Sequence, residues 1–277
     1  MEMRYTPNNT DYLFQTTEQL KKSFLIDNLF VGNKIEMIYT DIDRAIVGTA
    51  VPITSSLKLE SSAKEMAADF FTQRREIGVI NIGGSGKISV EGKEYLVDYK
   101  DALYIGRGNK EIIFSSSIPE LPAKFYFVSY PAHAEFKTEL AKFNDVEPAK
   151  LGSVKTANKR TIYKYIHPNG IRSSQLVMGL TELDEGSVWN TMPVHTHQRR
   201  TEVYMYFNIE EDSVVVHLMG EPGETRHIIL RNQNIVLSPS WSIHSGVATK
   251  NYSFIWAMGG ENQDFNDMDS VSMNSLK

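Results

Sequence analysis

Short segments in which apolar and polar residues alternate run along most of this chain. Lys87-Ile-Ser-Val90 and Val214-Val-Val-His-Leu218 are examples, each bounded by Gly, Asn, Asp or Pro. A period of two is the mark of a strand with one buried face, so the pattern predicts an all-β protein. Helical signals are few. Ser62-Ala-Lys-Glu65 has the spacing of a capping box that opens a short helix, and Thr16 to Leu25 predicts a second.

The chain also repeats itself. Gln73-Arg-Arg-Glu76-Ile-Gly-Val-Ile-Asn-Ile82 resembles Gln198-Arg-Arg-Thr-Glu202-Val-Tyr-Met-Tyr-Phe207 with one residue inserted. Ile46-Val-Gly-Thr-Ala-Val-Pro52 and Val177-Met-Gly-Leu-Thr-Glu-Leu183 stand at comparable distances ahead of them. Two copies of one β unit follow: an N-terminal barrel over 1–135 and a C-terminal barrel over 155–277. The segment 136–154, which has no strand period, connects them.

Chemistry is concentrated in the second copy. In His195-Thr-His197, alternate positions put both imidazoles on one side of an extended segment. Glu202 opens the next apolar run, and a bend through Gln198 to Thr201 can return its carboxylate to the same point. His244 follows the Pro-containing turn Ser238-Pro-Ser-Trp-Ser-Ile. With seven histidines in 277 residues such a set rarely arises by chance, and three nitrogens with one carboxylate suit zinc, iron, nickel or manganese. His133, His167, His217 and His227 have no partner at ligand spacing and read as surface or hydrogen-bonded residues. The first copy lacks the histidines, so it cannot hold the same metal. Its Glu76 reads as a solvated or salt-bridged residue.

Composition narrows the partners. There is no cysteine, which removes thiolate ligands and nucleophiles; 29 basic against 34 acidic residues, a net charge of -5, argue against nucleic acid. The N-terminus is polar and no apolar run is long enough to span a bilayer, which predicts a cytoplasmic protein without a membrane partner. An anionic substrate then needs local cations.

His195-x-His197-x4-Glu202 with Pro239-x4-His244 is similar to the two sequence motifs of the cupin superfamily. Trp189 to Tyr204, Pro239 to Gly246, Gly260-Glu-Asn-Gln263, Arg74 to Gly86 and Asp101 to Gly106 together resemble the 4-deoxy-L-threo-5-hexosulose-uronate ketol-isomerase family of pectin breakdown, over nearly the whole chain. The resemblance implies two tandem jelly-roll barrels and one divalent metal per chain, most simply zinc, on His195, His197, Glu202 and His244. It also implies a hexamer and conversion of 5-dehydro-4-deoxy-D-glucuronate to 3-deoxy-D-glycero-2,5-hexodiulosonate. For the substrate carboxylate and the pocket wall, Arg160, Lys164, Arg200 and Trp241 are the expected residues. Glu182, Lys164 and Tyr204 are of the type to move a proton, and the base stays unassigned. A cupin dioxygenase using iron, or a non-catalytic sugar-binding cupin, remains the alternative.

Overall fold

The computed structural model describes residues 1–277. The two short helices stand where the capping signals place them. Thr17–Phe24 opens on a complete capping box between Thr16 and Gln19, and Ala63–Met66 on a Ser62 side chain that accepts from the Glu65 amide. Nearly all remaining regular structure is strand, and no helix is long and apolar enough to cross a membrane.

The chain divides into two compact units. One comprises 1–4, 29–146 and 165–177; the other comprises 5–28, 147–164 and 178–277. Two segments thus lie in the unit formed mainly by the opposite half of the sequence. Segment 5–28 carries the helix Thr17–Phe24, whose apolar face leads into Leu25 and Ile26. These pair with Val236 and Ile235 of the second unit.

Inside each unit a seven-stranded and a four-stranded sheet are built to one plan. In the first, Arg75–Asn81 runs between Phe125–Pro131 and Ala102–Ile105; in the second, Arg200–Phe207 runs between Ser253–Gly260 and Ile235–Ser238. The segments that repeat in sequence are therefore equivalent central strands. Both are buried along their whole length, which explains why they read as near-continuous apolar runs rather than as alternating ones. Phe71, Phe114, Phe125 and Phe127 fill the first unit with Ile77, Val79, Ile88 and Leu103, ring against ring.

Glu76 corrects the sequence expectation. It is neither solvated nor salt-bridged. The side chain is fully buried and accepts four hydrogen bonds: from Tyr104 Oη at 2.7 Å and from the backbone amides of Ser174 at 2.6 Å and of Gln175 and Leu176 at 2.8 Å. The position that holds a candidate ligand in the second copy here fastens the segment 174–176, and Tyr165 Oη adds a bond to the Lys100 carbonyl. Four donors to one carboxylate satisfy its charge without a counter-ion. Glu76→Gln turns an acceptor pair into one acceptor and one donor that faces amide N–H groups. It should cost about 2–4 kcal/mol and lower the melting temperature by roughly 5–10 °C. Metal content should stay unchanged. Calorimetry on the metal-loaded protein checks both.

Candidate metal centre

The ligands come from three short stretches of the second unit. His195–Thr196 is a two-residue strand paired with Asp269–Ser270. A turn closed by the Arg200 amide on the His197 carbonyl at 3.2 Å follows, and Glu202 sits two residues into the next strand. Ser242 closes a turn back to Pro239 and delivers His244 onto the strand Ile243–Ala248. The four side chains offer donor atoms that all lie within 4.8 Å of one another. His244 Nε2 stands 3.0 Å from both His195 Nε2 and Glu202 Oε2, and His197 Nε2 stands 3.9 Å from Glu202 Oε2. The rings of His195 and His197 stack at 4.8 Å and 10°.

Whether a metal fits is decided by what these atoms lack. His197 is 3% exposed, yet neither of its ring nitrogens has a hydrogen-bond partner. A buried imidazole with two orphaned nitrogens is costly unless a cation takes a lone pair. Burial, and then the neighbouring His244, push His195 down to about 3 and His197 down to about 2, so both are neutral at pH 7, the form that ligates. Around them Arg199 grips Asp267 through Nε at 2.7 and 2.9 Å and Asp269 through Nη2 at 3.1 Å, fastening the ligand turn to the segment behind it.

A cavity of about 250 Å³ opens over the ligands, at the small end of pockets that take organic ligands. His195, His197 and Glu202 line one side. Trp256, Phe254, Phe265, Met258 and Ile162 form apolar walls, and Arg160, Thr181, Thr191 and Tyr204 supply the remaining polar groups.

The residues expected to meet substrate separate here. Arg160 lines the cavity, half-buried, with one hydrogen bond to the Asn158 carbonyl and no carboxylate partner. Lys164 places its ammonium 4.0 Å from the centroid of the wall residue Phe265. Arg200 is buried at 1% exposure and gives Nη2 to the Asp267 carbonyl at 2.7 Å, while Nε and Nη1 have no partner; it is absent from the cavity lining. Trp241 is not on the wall either, because its ring packs 4.8 Å from Tyr12 and 6.3 Å from Phe24. Of the three proton-moving candidates only Tyr204 faces the cavity. His217, read as a hydrogen-bonded residue, is buried and meets Tyr206 Oη at 2.8 Å.

Comparison with known proteins bears on the reading at this point. The model of the KduI/IolB family matches residues 26–273. A 4-deoxy-L-threo-5-hexosulose-uronate ketol-isomerase of Caldicellulosiruptor bescii is 54% identical, and one of Halalkalibacterium halodurans 48% identical, each over the full length of both chains. Among solved structures, an IolB-like protein of Salmonella typhimurium superposes with a TM-score of 0.69 at 12% identity, covering 90% of this chain and 96% of its own. An oxalate decarboxylase of Lactobacillus farciminis superposes with a TM-score of 0.60 at 10% identity, covering 91% of this chain and 86% of its own. At such identities these two speak for the fold alone, and the fold is the two-barrel cupin expected from the sequence.

Proposed function

Because this chain belongs to the KduI/IolB family, we propose that it is a ketol-isomerase. It converts 5-dehydro-4-deoxy-D-glucuronate to 3-deoxy-D-glycero-2,5-hexodiulosonate, a reading supported by relatives that share about half its residues and are named 4-deoxy-L-threo-5-hexosulose-uronate ketol-isomerase. The observation that carries the reading is a single small cavity lined both by metal-competent ligands and by a half-buried guanidinium without a carboxylate. Zinc is the metal we infer for His195, His197, Glu202 and His244, at one per chain, because the equivalent position in the first unit, Glu76, has its carboxylate taken by four donors. We further propose a hexameric, cytoplasmic protein.

Moving the carbonyl from C1 to C2 builds negative charge on the substrate oxygens. A divalent cation at this site supplies Lewis acidity for that charge without redox change. The chain's own residues do the rest. Arg160 binds the carboxylate end, and the apolar walls exclude water from the reacting carbons.

Feeding the metal-loaded protein with the product of an unsaturated uronide hydrolase, and following the aldehyde signal by NMR, tests the reading. Appearance of the 2-ketose supports it. An oxygen electrode separates the iron dioxygenase alternative, which would consume oxygen. Arg160→Ala should raise KM roughly 30- to 100-fold, the loss of about 2–3 kcal/mol of charge-assisted hydrogen bonding. Its kcat should stay within about threefold and its metal content intact, as steady-state kinetics and metal analysis will show.

A further inference from the structure

The cavity lining carries five groups that can exchange a proton or hold a charge: His195, His197, Glu202, Arg160 and Tyr204. The first three belong to the metal cluster and the fourth is a permanent cation, which leaves one phenol. Tyr204 follows Glu202 by two residues on Arg200–Phe207, so both side chains point to the same face of the strand. Its ring centroid lies 5.5 Å from that of His244, edge-on at 86°, and the residue is 4% exposed.

The hydroxyl of Tyr204 stands at the end of a directed chain. Tyr252 Oη donates to Asn190 Oδ1, and Asn190 Nδ2 donates to Thr191 Oγ1 at 3.0 Å. Thr191 Oγ1 lies 3.0 Å from Tyr204 Oη. Either oxygen can be the donor in that last contact; in the arrangement where Thr191 donates to the Tyr204 oxygen, the donors run one way and the Tyr204 proton is free to face the cavity. Hydrogen bonds aligned in this manner strengthen one another. Two backbone features hold the chain in place. Thr191 is β-branched and yet adopts φ 52°, a strained left-handed conformation that sets its Oγ1 between Asn190 and Tyr204. A Cβ on Gly246 would stand 2.6 Å from Asn190 Oδ1 and 3.0 Å from Tyr252 Oη, so no side chain fits there without dispersing the chain. A phenol is ordinarily protonated at neutral pH, which suits a donor and not a base.

We propose that Tyr204 is a catalytic residue of the isomerisation, donating a hydrogen bond to the substrate oxygen on which negative charge develops, with Thr191 and Asn190 as positioning residues that aim its proton. The proposal rests on the ketol-isomerase reading above. No proton leaves Tyr204. The bond strengthens as the oxygen becomes anionic, so its effect falls on kcat more than on KM.

The test uses the zinc-loaded full chain. Tyr204→Phe keeps the ring and its packing and should lower kcat about 100-fold or more, the usual loss for one oxyanion donor. KM should stay within about threefold and zinc content at the wild-type level. Thr191→Val should lower kcat by about tenfold, since the phenol remains but is no longer aimed. Binding gives a readout independent of turnover. A short polyhydroxy hydroxamate bearing a terminal carboxylate imitates the charged intermediate, and by calorimetry Tyr204→Phe should weaken it at least about 30-fold. A sugar acid reduced at C1 should bind equally to both proteins. A Phe variant retaining more than about a third of wild-type kcat, or losing both ligands equally, would overturn the role of Tyr204 while leaving the isomerase reading intact. Zinc-loaded wild-type protein that leaves the substrate unchanged would overturn both.

Discussion

His197→Ala is expected to strip most of the metal and to lower turnover by at least about 1,000-fold. Two numbers set the scale. Removing a residue that merely orients a ligand costs 10- to 100-fold in metal affinity, so removing a ligand itself should exceed that. Losing several kcal/mol of Lewis-acid stabilisation is worth a factor of ten for each ~1.4 kcal/mol. The side chain is unusually clean to delete. Both ring nitrogens of His197 lack any protein partner, so the substitution leaves no hydrogen-bonding group behind in the fold. The melting temperature of the metal-stripped variant should therefore stay close to that of metal-stripped wild type. This is the reverse of Glu76→Gln, which is expected to lose stability and keep its metal. Metal analysis beside calorimetry on the two variants distinguishes a ligand from a structural carboxylate. A His197→Ala protein with full occupancy would show that the ligand set is wrong.

The contrast between Glu202 and Glu76 also shows what the sequence could and could not reveal. The quartet was legible because its spacings are local: an alternating pair, a bend, and a Pro-containing turn, each a rule about neighbours in the chain. The repeat was legible because equivalent central strands, buried on both faces, must use similar apolar residues. Three of the four partners of Glu76 were not, because they lie 98 to 100 residues away and are backbone amides, which carry no side-chain signature. One signal was available. A glutamate directly ahead of a continuous apolar run, Ile77-Gly-Val-Ile, reads as buried, and a buried carboxylate must find donors. Trp241 was ambiguous for the same reason, since Tyr12 and Phe24 reach it from more than 200 residues upstream. Arg200 and Arg199 illustrate the reverse problem. Adjacent guanidiniums look alike in sequence, but one is buried behind the ligand turn and the other is paired with Asp267 and Asp269. Arg199 lies in the turn and Arg200 opens the strand, and that difference of one position decides which is which.

Metal-stripped protein should lose stability steeply as the pH falls from 6.5 to 5. His197 and His217 are buried, and desolvation pushes them down to about 2 and about 3, against 6.5 for an exposed imidazole. His195, partly exposed, is pushed down to about 3 by the same cause. Above pH 6.5 both folded and unfolded chains carry these imidazoles neutral, and the contribution to stability is complete. Below it the unfolded chain takes up protons that the folded chain refuses, so stability falls until the folded values are reached. The slope is about 1.4 kcal/mol per pH unit for each histidine that stays neutral in the fold. The window from 6.5 to 5 is chosen because it lies above the ordinary carboxylate range, so acid titration of Asp and Glu contributes little there. Urea unfolding at half-unit steps reads the slope directly. His217→Leu provides the internal check. It removes one titrating group that is not a ligand and leaves Tyr206 Oη without its 2.8 Å partner, at a cost of about 1–3 kcal/mol at every pH. Its curve should lie below wild type and be flatter by about 1.4 kcal/mol per pH unit. Metal-loaded protein should hold its stability further into acid, because protons must then compete with the cation for the same nitrogens. A metal-stripped protein equally stable at pH 6.5 and pH 5 would mean that His195, His197 and His217 titrate as exposed groups do, and their neutral, desolvated state in the fold would have to be abandoned.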